Sequence, residues 1–286
     1  MSPLKNDVKE KLSIVILCAG EGTRLKRIVK KIPKPLIKIE RLNNISILHH
    51  TINNLLTFKV KNIAIVIGHL GNIIREFITV LKNKIPTLYN KLIIIDSGTQ
   101  YKMGPLYSLL SITKNTDFYT MKSHFLIFPG DTIFDYNLLK EVFSVISDNF
   151  LLINKYPFVF YQNMGLKSLK EIYTEKSSIS NAEIELIDSK ITLKRFTKKK
   201  VEDLESREVV NHVIPIIALN YDTINYFLNL EHKFHFKTLW ETLNHIVMKG
   251  KKILCFKIKN EHKFYDIDNK YDLKKQKKEK DNRCSD

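Results

Sequence analysis

Gly20, Gly22, Arg24 and Lys34 are the first residues in the chain whose types and spacing suit a definite chemistry. They follow an apolar run at 13–18, in the stretch "LSIVILCAGEGTRLKRIVKKIPKPL". Glycines at the end of a strand let the backbone come close to a phosphate and turn N–H donors toward it. Arg24 and Lys34 add the cationic groups that a triphosphate requires. Pro33 and Pro35 stiffen the chain on both sides of that lysine. Two glycines after a strand also make an ordinary turn, so the pattern alone leaves both readings open. Acids stand at two further places. "FLIFPGDTIFD" sets Asp131 after an apolar run and a Pro-Gly break, and "FYDIDNKYDL" sets Asp266 and Asp268 before a helical segment. An acid in either position also suits a cap or a turn.

These residues need elements to hold them. Apolar runs at 13–18, 62–67, 91–95 and 124–128 read as strands buried on both faces, alternating with helical periodicity near 45–57, 71–82, 104–113 and 136–148. That alternation predicts a parallel sheet covered by helices. The second half predicts crowded strands near 151–161, 182–187, 190–196 and 211–219. A helix near 236–249, a strand near 252–258 and a last helix from about 269 follow. The fold class expected is therefore α/β, a mixed and mainly parallel Rossmann-like sheet with a more antiparallel C-terminal portion. One domain over 1–275 accounts for it, with a nucleotide-binding part at about 12–135, an acceptor-binding part at about 150–265, and a disordered basic tail at 276–286.

With 44% hydrophobic residues in 286, the chain can bury a large core. The opening is charged and its first apolar run is short, so neither a signal peptide nor a membrane helix is read, and a cytoplasmic location is expected. Cys18, Cys255 and Cys284 lie far apart without metal-ligand spacing and read as reduced thiols. The net charge of +17 is spread over the chain, densest at 26–34, 194–200 and 273–283. Such charge attracts nucleic acid, anionic membranes or small phosphorylated ligands.

"LCAGEGTRL" followed by "PKPL" resembles the signature of the nucleotidyltransferases that join a nucleoside triphosphate to a sugar 1-phosphate. The resemblance implies that a loop containing Leu17, Ala19, Gly20, Gly22 and Thr23 wraps the triphosphate. It also implies that Arg24 and Lys34 neutralise charge in the transition state. "PGDTIFD" and "YDIDNKYDL" resemble the family's two acidic motifs, which hold Mg2+, the expected cofactor. Asp268 or Asn269 can cap the last helix, with Asp272 meeting its positive end, whereas Asp266 has no such local task. The metal is therefore assigned to Asp131 and Asp266. "TQYKMGPLYSLLSI" stands where the family contacts base and ribose, implying Gln100, Gly104 and Ser108. "ITLKRFTKKK" stands where a family lysine meets the sugar phosphate, implying Lys198, with Lys199 and Lys200 as neighbours able to serve instead.

The implied partners are a nucleoside triphosphate and a sugar 1-phosphate or related phosphate monoester, with no nucleic acid and no membrane. Two other readings stand beside this one. One is a cytidylyltransferase acting on phosphocholine or inositol phosphate. The other is a non-catalytic basic protein that binds nucleic acid or regulates a partner, which would have no use for the acids at 131 and 266.

Overall fold

The structure is a computed structural model, and it describes residues 5–25, 31–121, 123–231 and 233–278. Its strands are, in chain order, β1 (Leu12–Cys18), β2 (Lys38–Ile39), β3 (Ile45–Ser46), β4 (Ile63–Ile67), β5 (Leu92–Asp96), β6 (His124–Pro129), β7 (Thr132–Phe134), β8 (Phe158–Gly165), β9 (Ser178–Ile187), β10 (Lys190–Lys200), β11 (Val209–Asn220), β12 (Leu254–Lys257) and β13 (Phe264–Asp266). Nine of them form one sheet in the order β5-β4-β1-β6-β11-β8-β12-β10-β9. The first four run parallel, and β11 enters antiparallel between β6 and β8. The expected mixed, mainly parallel first half and more antiparallel second half are both present.

Alternation along β1 explains its largely apolar sequence, in which even the polar Ser13 is buried. Ile14, Ile16 and Cys18 enter one core, beneath the helices Ile47–Leu56, Gly71–Lys84 and Tyr136–Asp148. Val15 enters the other, beneath Pro105–Leu110, Tyr221–Glu231 and Leu239–Met248. A strand with a core on each face has no solvent side to carry polar residues. Crossovers leave β1 toward β4 in one direction, while β6 lies on its other side, so the order reverses between β1 and β6. In open α/β sheets such a reversal leaves a crevice at the carboxyl ends of the strands.

A third apolar cluster supports the acidic segments. Ile133 on β7 and Tyr265 and Ile267 around β13 are buried in it, and β7 pairs antiparallel with β13 so that Thr132 faces Asp266. The guanidinium of Arg41 lies 4.2 Å from the centre of the Tyr265 ring. Asp266 is thus flanked by two buried side chains and has little freedom to move.

Several boundaries differ from the sequence expectation. The strand expected at 151–161 begins only at Phe158, because Phe150–Ile153 forms a helical turn and Pro157 lies between them. β9 and β10 extend to Ser178 and Lys200, since cross-strand pairing carries the ladder through polar residues. Their two-residue turn places Asp188 and Ser189 at φ 50 and φ 60, the left-handed pair that a tight hairpin needs. The last helix runs Lys270–Lys278 and Gln276 is buried, so the tail expected from 276 is helical at its start, and 279–286 lie outside the described residues. No helix among the described residues is long and apolar enough to cross a membrane.

Candidate active site

The end of β1 opens onto a cavity of about 390 Å³ at the β1/β6 reversal. Leu17, Ala19, Gly20, Gly22 and Lys34 line it together with Asp131. Gly22 has φ +58, a conformation that glycine adopts without strain. Gly130 donates from its N–H to the Leu17 carbonyl at 2.9 Å, and a Cβ there would stand 2.6 Å from the Cys18 sulfur. Only glycine lets the loop after β6 lie this close to β1, which is what delivers Asp131 to the cavity. The Arg24 side chain lies outside what is described, and Thr23 is exposed at the start of a short 3-10 turn away from the cavity wall.

The opposite wall carries Tyr101, Pro105 and Ser108. Ser108, named above for base and ribose contact, is thus on the cavity wall. Gln100 does not line the cavity; its side-chain oxygen accepts from Lys114 Nζ at 3.0 Å. Gly104 supports the wall from behind, with φ +130 and a Cβ position 2.4 Å from the Lys237 carbonyl oxygen. Tyr101 was missed by the sequence reading. Its neighbours Gln100 and Gly104 matched a motif, whereas no spacing rule marked the tyrosine between them.

Lys34 is the electrostatic centre. Its ammonium donates to Asp131 Oδ2 at 2.6 Å and to Asp268 Oδ1 at 2.9 Å, while its side chain is only 9% exposed. Burial disfavours that charge, but the two carboxylates outweigh it and hold the lysine above its ordinary pKa. Asp268 is therefore not the helix cap expected from sequence. Asn269 Oδ1 accepts from the N–H of Tyr271 and Asp272, and Asp272 Oδ2 accepts from the N–H of Asp268 and Asn269. This reciprocal cap leaves the Asp268 carboxylate available to Lys34.

Asp266 also has a local task that the sequence did not reveal. Its Oδ1 accepts from the Thr132 hydroxyl at 2.5 Å. Burial pushes its carboxyl up to about 7, the Thr132 hydrogen bond opposes this, and the charges of Asp131 and Asp268 add to it. Burial, reinforced by Asp131, likewise pushes the Cys18 thiol well above the ordinary range.

A second, larger cleft of about 1080 Å³ adjoins the first and reaches Asp266, Asp268, Tyr173, His212 and Lys198. Of the three consecutive lysines, Lys198 is the one on this cleft, with Nζ 2.8 Å from the Ser180 hydroxyl. Lys199 is paired with Glu208, and Lys200 with Glu202 at 3.2 Å. Burial, then the Lys198 charge, lowers the His212 imidazole to about 3. Neutral His212 stacks on Phe264 at 5.0 Å and faces the Tyr173 hydroxyl at 3.1 Å.

Asp131, Asp266 and Asp268 supply the hard oxygen donors that magnesium prefers. Among the described residues no group of three or more His, Cys, Asp or Glu could hold a metal ion alone. A carboxylate pair fits magnesium nonetheless, because that ion commonly takes one or two protein oxygens and fills the rest of its shell with substrate phosphate and water.

The MobA-like NTP transferase domain matches residues 14–165, which carry the glycine loop, Lys34 and Asp131. A 70-residue stretch is 37% identical to a 2-aminoethylphosphonate cytidylyltransferase of Lancefieldella rimae, covering 24% of this chain and 27% of that protein. The chain therefore matches only about a quarter of that relative's length. A UDP-glucose pyrophosphorylase solved with UDP-glucose shares the fold at a TM-score of 0.66 and 16% identity, covering 96% of this chain and 100% of that one. The inositol-1-phosphate CTP transferase of T. maritima aligns at 0.63 and 16% identity over 94% and 97% of the two chains. The CTP:phosphocholine cytidylyltransferase of Streptococcus pneumoniae aligns at 0.61 and 15% identity, over 93% and 97%. With more than half of its residues matched, and with the glycine loop, lysine and first acid inside the match, the chain belongs to the MobA-like NTP transferase family.

Proposed function

We propose that this protein transfers a nucleoside monophosphate from a nucleoside triphosphate to a sugar 1-phosphate or a related phosphate monoester, releasing pyrophosphate. The observation that carries the reading is Lys34 held between Asp131 and Asp268, where a cavity of about 390 Å³ meets a larger cleft. In this reaction an acceptor phosphate oxygen bonds to the α-phosphorus of the triphosphate. The bond from that phosphorus to the β-phosphate oxygen breaks, and its electron pair leaves on pyrophosphate. The attacking oxygen is already anionic at neutral pH, so no protein nucleophile is required and the protonated, buried Cys18 thiol takes no part. The backbone of Gly20 and Gly22 approaches the phosphates, and Lys34 offsets their charge as it builds. Lys198 meets the acceptor phosphate across the second cleft. Asp131 and Asp266 would hold magnesium, which when bound would screen the repulsion between the two phosphates.

A specific observation favours a second acceptor class. The larger cleft carries Glu175, Asp266, Asp268 and Asp272 beside Tyr173 and Tyr271, an acidic and aromatic wall on a strongly basic protein. Acids and aromatic faces suit an ammonium group, and the cytidylyltransferase match points the same way. One assay separates the readings. The full chain, with magnesium, is given each of CTP, UTP, dTTP, ATP and GTP paired with glucose 1-phosphate, inositol 1-phosphate, phosphocholine or 2-aminoethylphosphonate, and pyrophosphate is measured. Preference for glucose 1-phosphate supports the first reading, and preference for the aminoalkyl acceptors the second. Pyrophosphate from none of the pairs sinks both.

A further inference from the structure

Two residues, Pro215 and Trp240, line both the 390 Å³ cavity and the 1080 Å³ cleft. Pro215 lies where the pairing of β11 slips between Ile214 and Ile217, and a proline, having no N–H to give to the ladder, is tolerated at such an irregularity. Trp240 is the only tryptophan in the chain. We infer that Trp240 is a specificity-determining residue whose indole touches the nucleotide on one side and the acceptor on the other. This inference rests on the transferase reading above.

Both attachments of Trp240 bear on the two sites. Its helix, Leu239–Met248, starts with a reciprocal cap in which Thr238 accepts from the Glu241 N–H and Glu241 accepts from the Thr238 N–H. The residue before that cap, Lys237, accepts at its carbonyl from the Leu106 N–H at 3.2 Å, which ties the helix start to the wall carrying Ser108. On the other side, the indole packs on Phe196 with ring centres 4.6 Å apart. Asn244 of the same helix clamps the Phe196 backbone, accepting from its N–H at 2.6 Å and donating to its carbonyl at 3.0 Å. Phe196 and Lys198 are two apart on β10 and project to the same face of the strand. The indole is thus braced against the nucleotide wall at its cap and against the acceptor strand at its ring. A broad, rigid ring in that position offers contact area to both ligands at small entropic cost.

The single tryptophan makes the inference directly readable. Indole emission of the full protein is followed while a triphosphate is added with magnesium, and then while the preferred acceptor is added to the loaded protein. Each addition should shift or quench the emission and reduce its quenching by acrylamide. Trp240→Ala should raise KM for both substrates by about tenfold while changing kcat much less, and Trp240→Phe should restore most of both. Melting temperatures of the two variants give the folding control. Emission indifferent to ligands that calorimetry shows to bind, or a KM change for one substrate alone, overturns the inference while leaving the transferase reading in place. Should Trp240→Ala not fold, the emission titrations of the wild-type protein decide by themselves. If the wild-type chain releases pyrophosphate with no pair, the transferase reading fails and the inference falls with it.

Discussion

Asp268 carries two possible roles in the sequence and one in the structure. As an acid before a helix it matches a cap as well as any residue in the chain, and Asn269 beside it matches equally well. The register of β13 against β7 separates them by fixing Asp266 opposite Thr132, and the segment that follows turns Asp268 toward Lys34. The cap then falls to Asn269 and Asp272. No local rule contains that outcome, because β7 and β13 are three-residue strands paired across about 130 residues of sequence. A change in expectation follows for mutants. Asp268→Asn should lower the rate of pyrophosphate release about as much as Asp131→Asn, on the order of a hundredfold, since each removes one charged partner of Lys34. Both variants should melt within a few degrees of the wild type, because neither carboxylate caps a helix. An Asp268→Asn protein with near wild-type turnover would return the residue to a structural role.

At the scale of elements, legibility followed burial. β1, β4, β5 and β6 were readable to within about one residue because strands packed between two helical layers are mostly apolar. The hairpin of β9 and β10 was readable at its turn and not at its ends, where paired Ser, Thr and Lys residues carry no apolar signal. In the glycine loop it is the φ of +58 at Gly22 that favours glycine, whereas at Gly104 close approach to backbone adds a second demand. With φ +130 and the Lys237 carbonyl oxygen 2.4 Å from the place of a Cβ, Gly104→Ala forces both a strained backbone and a steric clash. The expected loss is about 2 kcal/mol or more, read as a drop of several degrees in melting temperature together with a higher KM for the triphosphate. Gly98→Ala is the control, since Gly98 has φ +56 but nothing within 4 Å of its Cβ position. It should lose only about half as much stability and leave KM unchanged. Equal effects at the two glycines would mean that the contact between the Ser108 wall and the Lys237 segment does not shape the site.

For the whole molecule the question is what a net charge of +17 does. Sequence alone could not divide it between a polyanion-binding surface and a lysine-rich solvated shell. Several of the lysines are paired: Lys199 with Glu208 and Lys200 with Glu202 beside the larger cleft, and Lys252 with Asp188 at the far, turn end of the β9–β10 hairpin. At the site Lys34 is paired with Asp131 and Asp268, in a chain whose net charge is positive. The field of such a charge draws anions inward from beyond contact distance, whereas the chemical step depends on partners only a few ångströms apart. Added salt shortens the reach of the field to about 3 Å at 1 M, from about 10 Å at 0.1 M, while screening buried pairs much less. Raising potassium chloride from 50 to 500 mM should therefore lower kcat/KM for the triphosphate severalfold and leave kcat nearly constant. Magnesium must be kept saturating so that the salt does not act through the metal. A kcat/KM that stays flat across this range would show that the surplus lysines do not steer substrate. A kcat that falls in parallel would place the salt-sensitive contacts inside the site, at Lys34 and Lys198, and not on the surface around it.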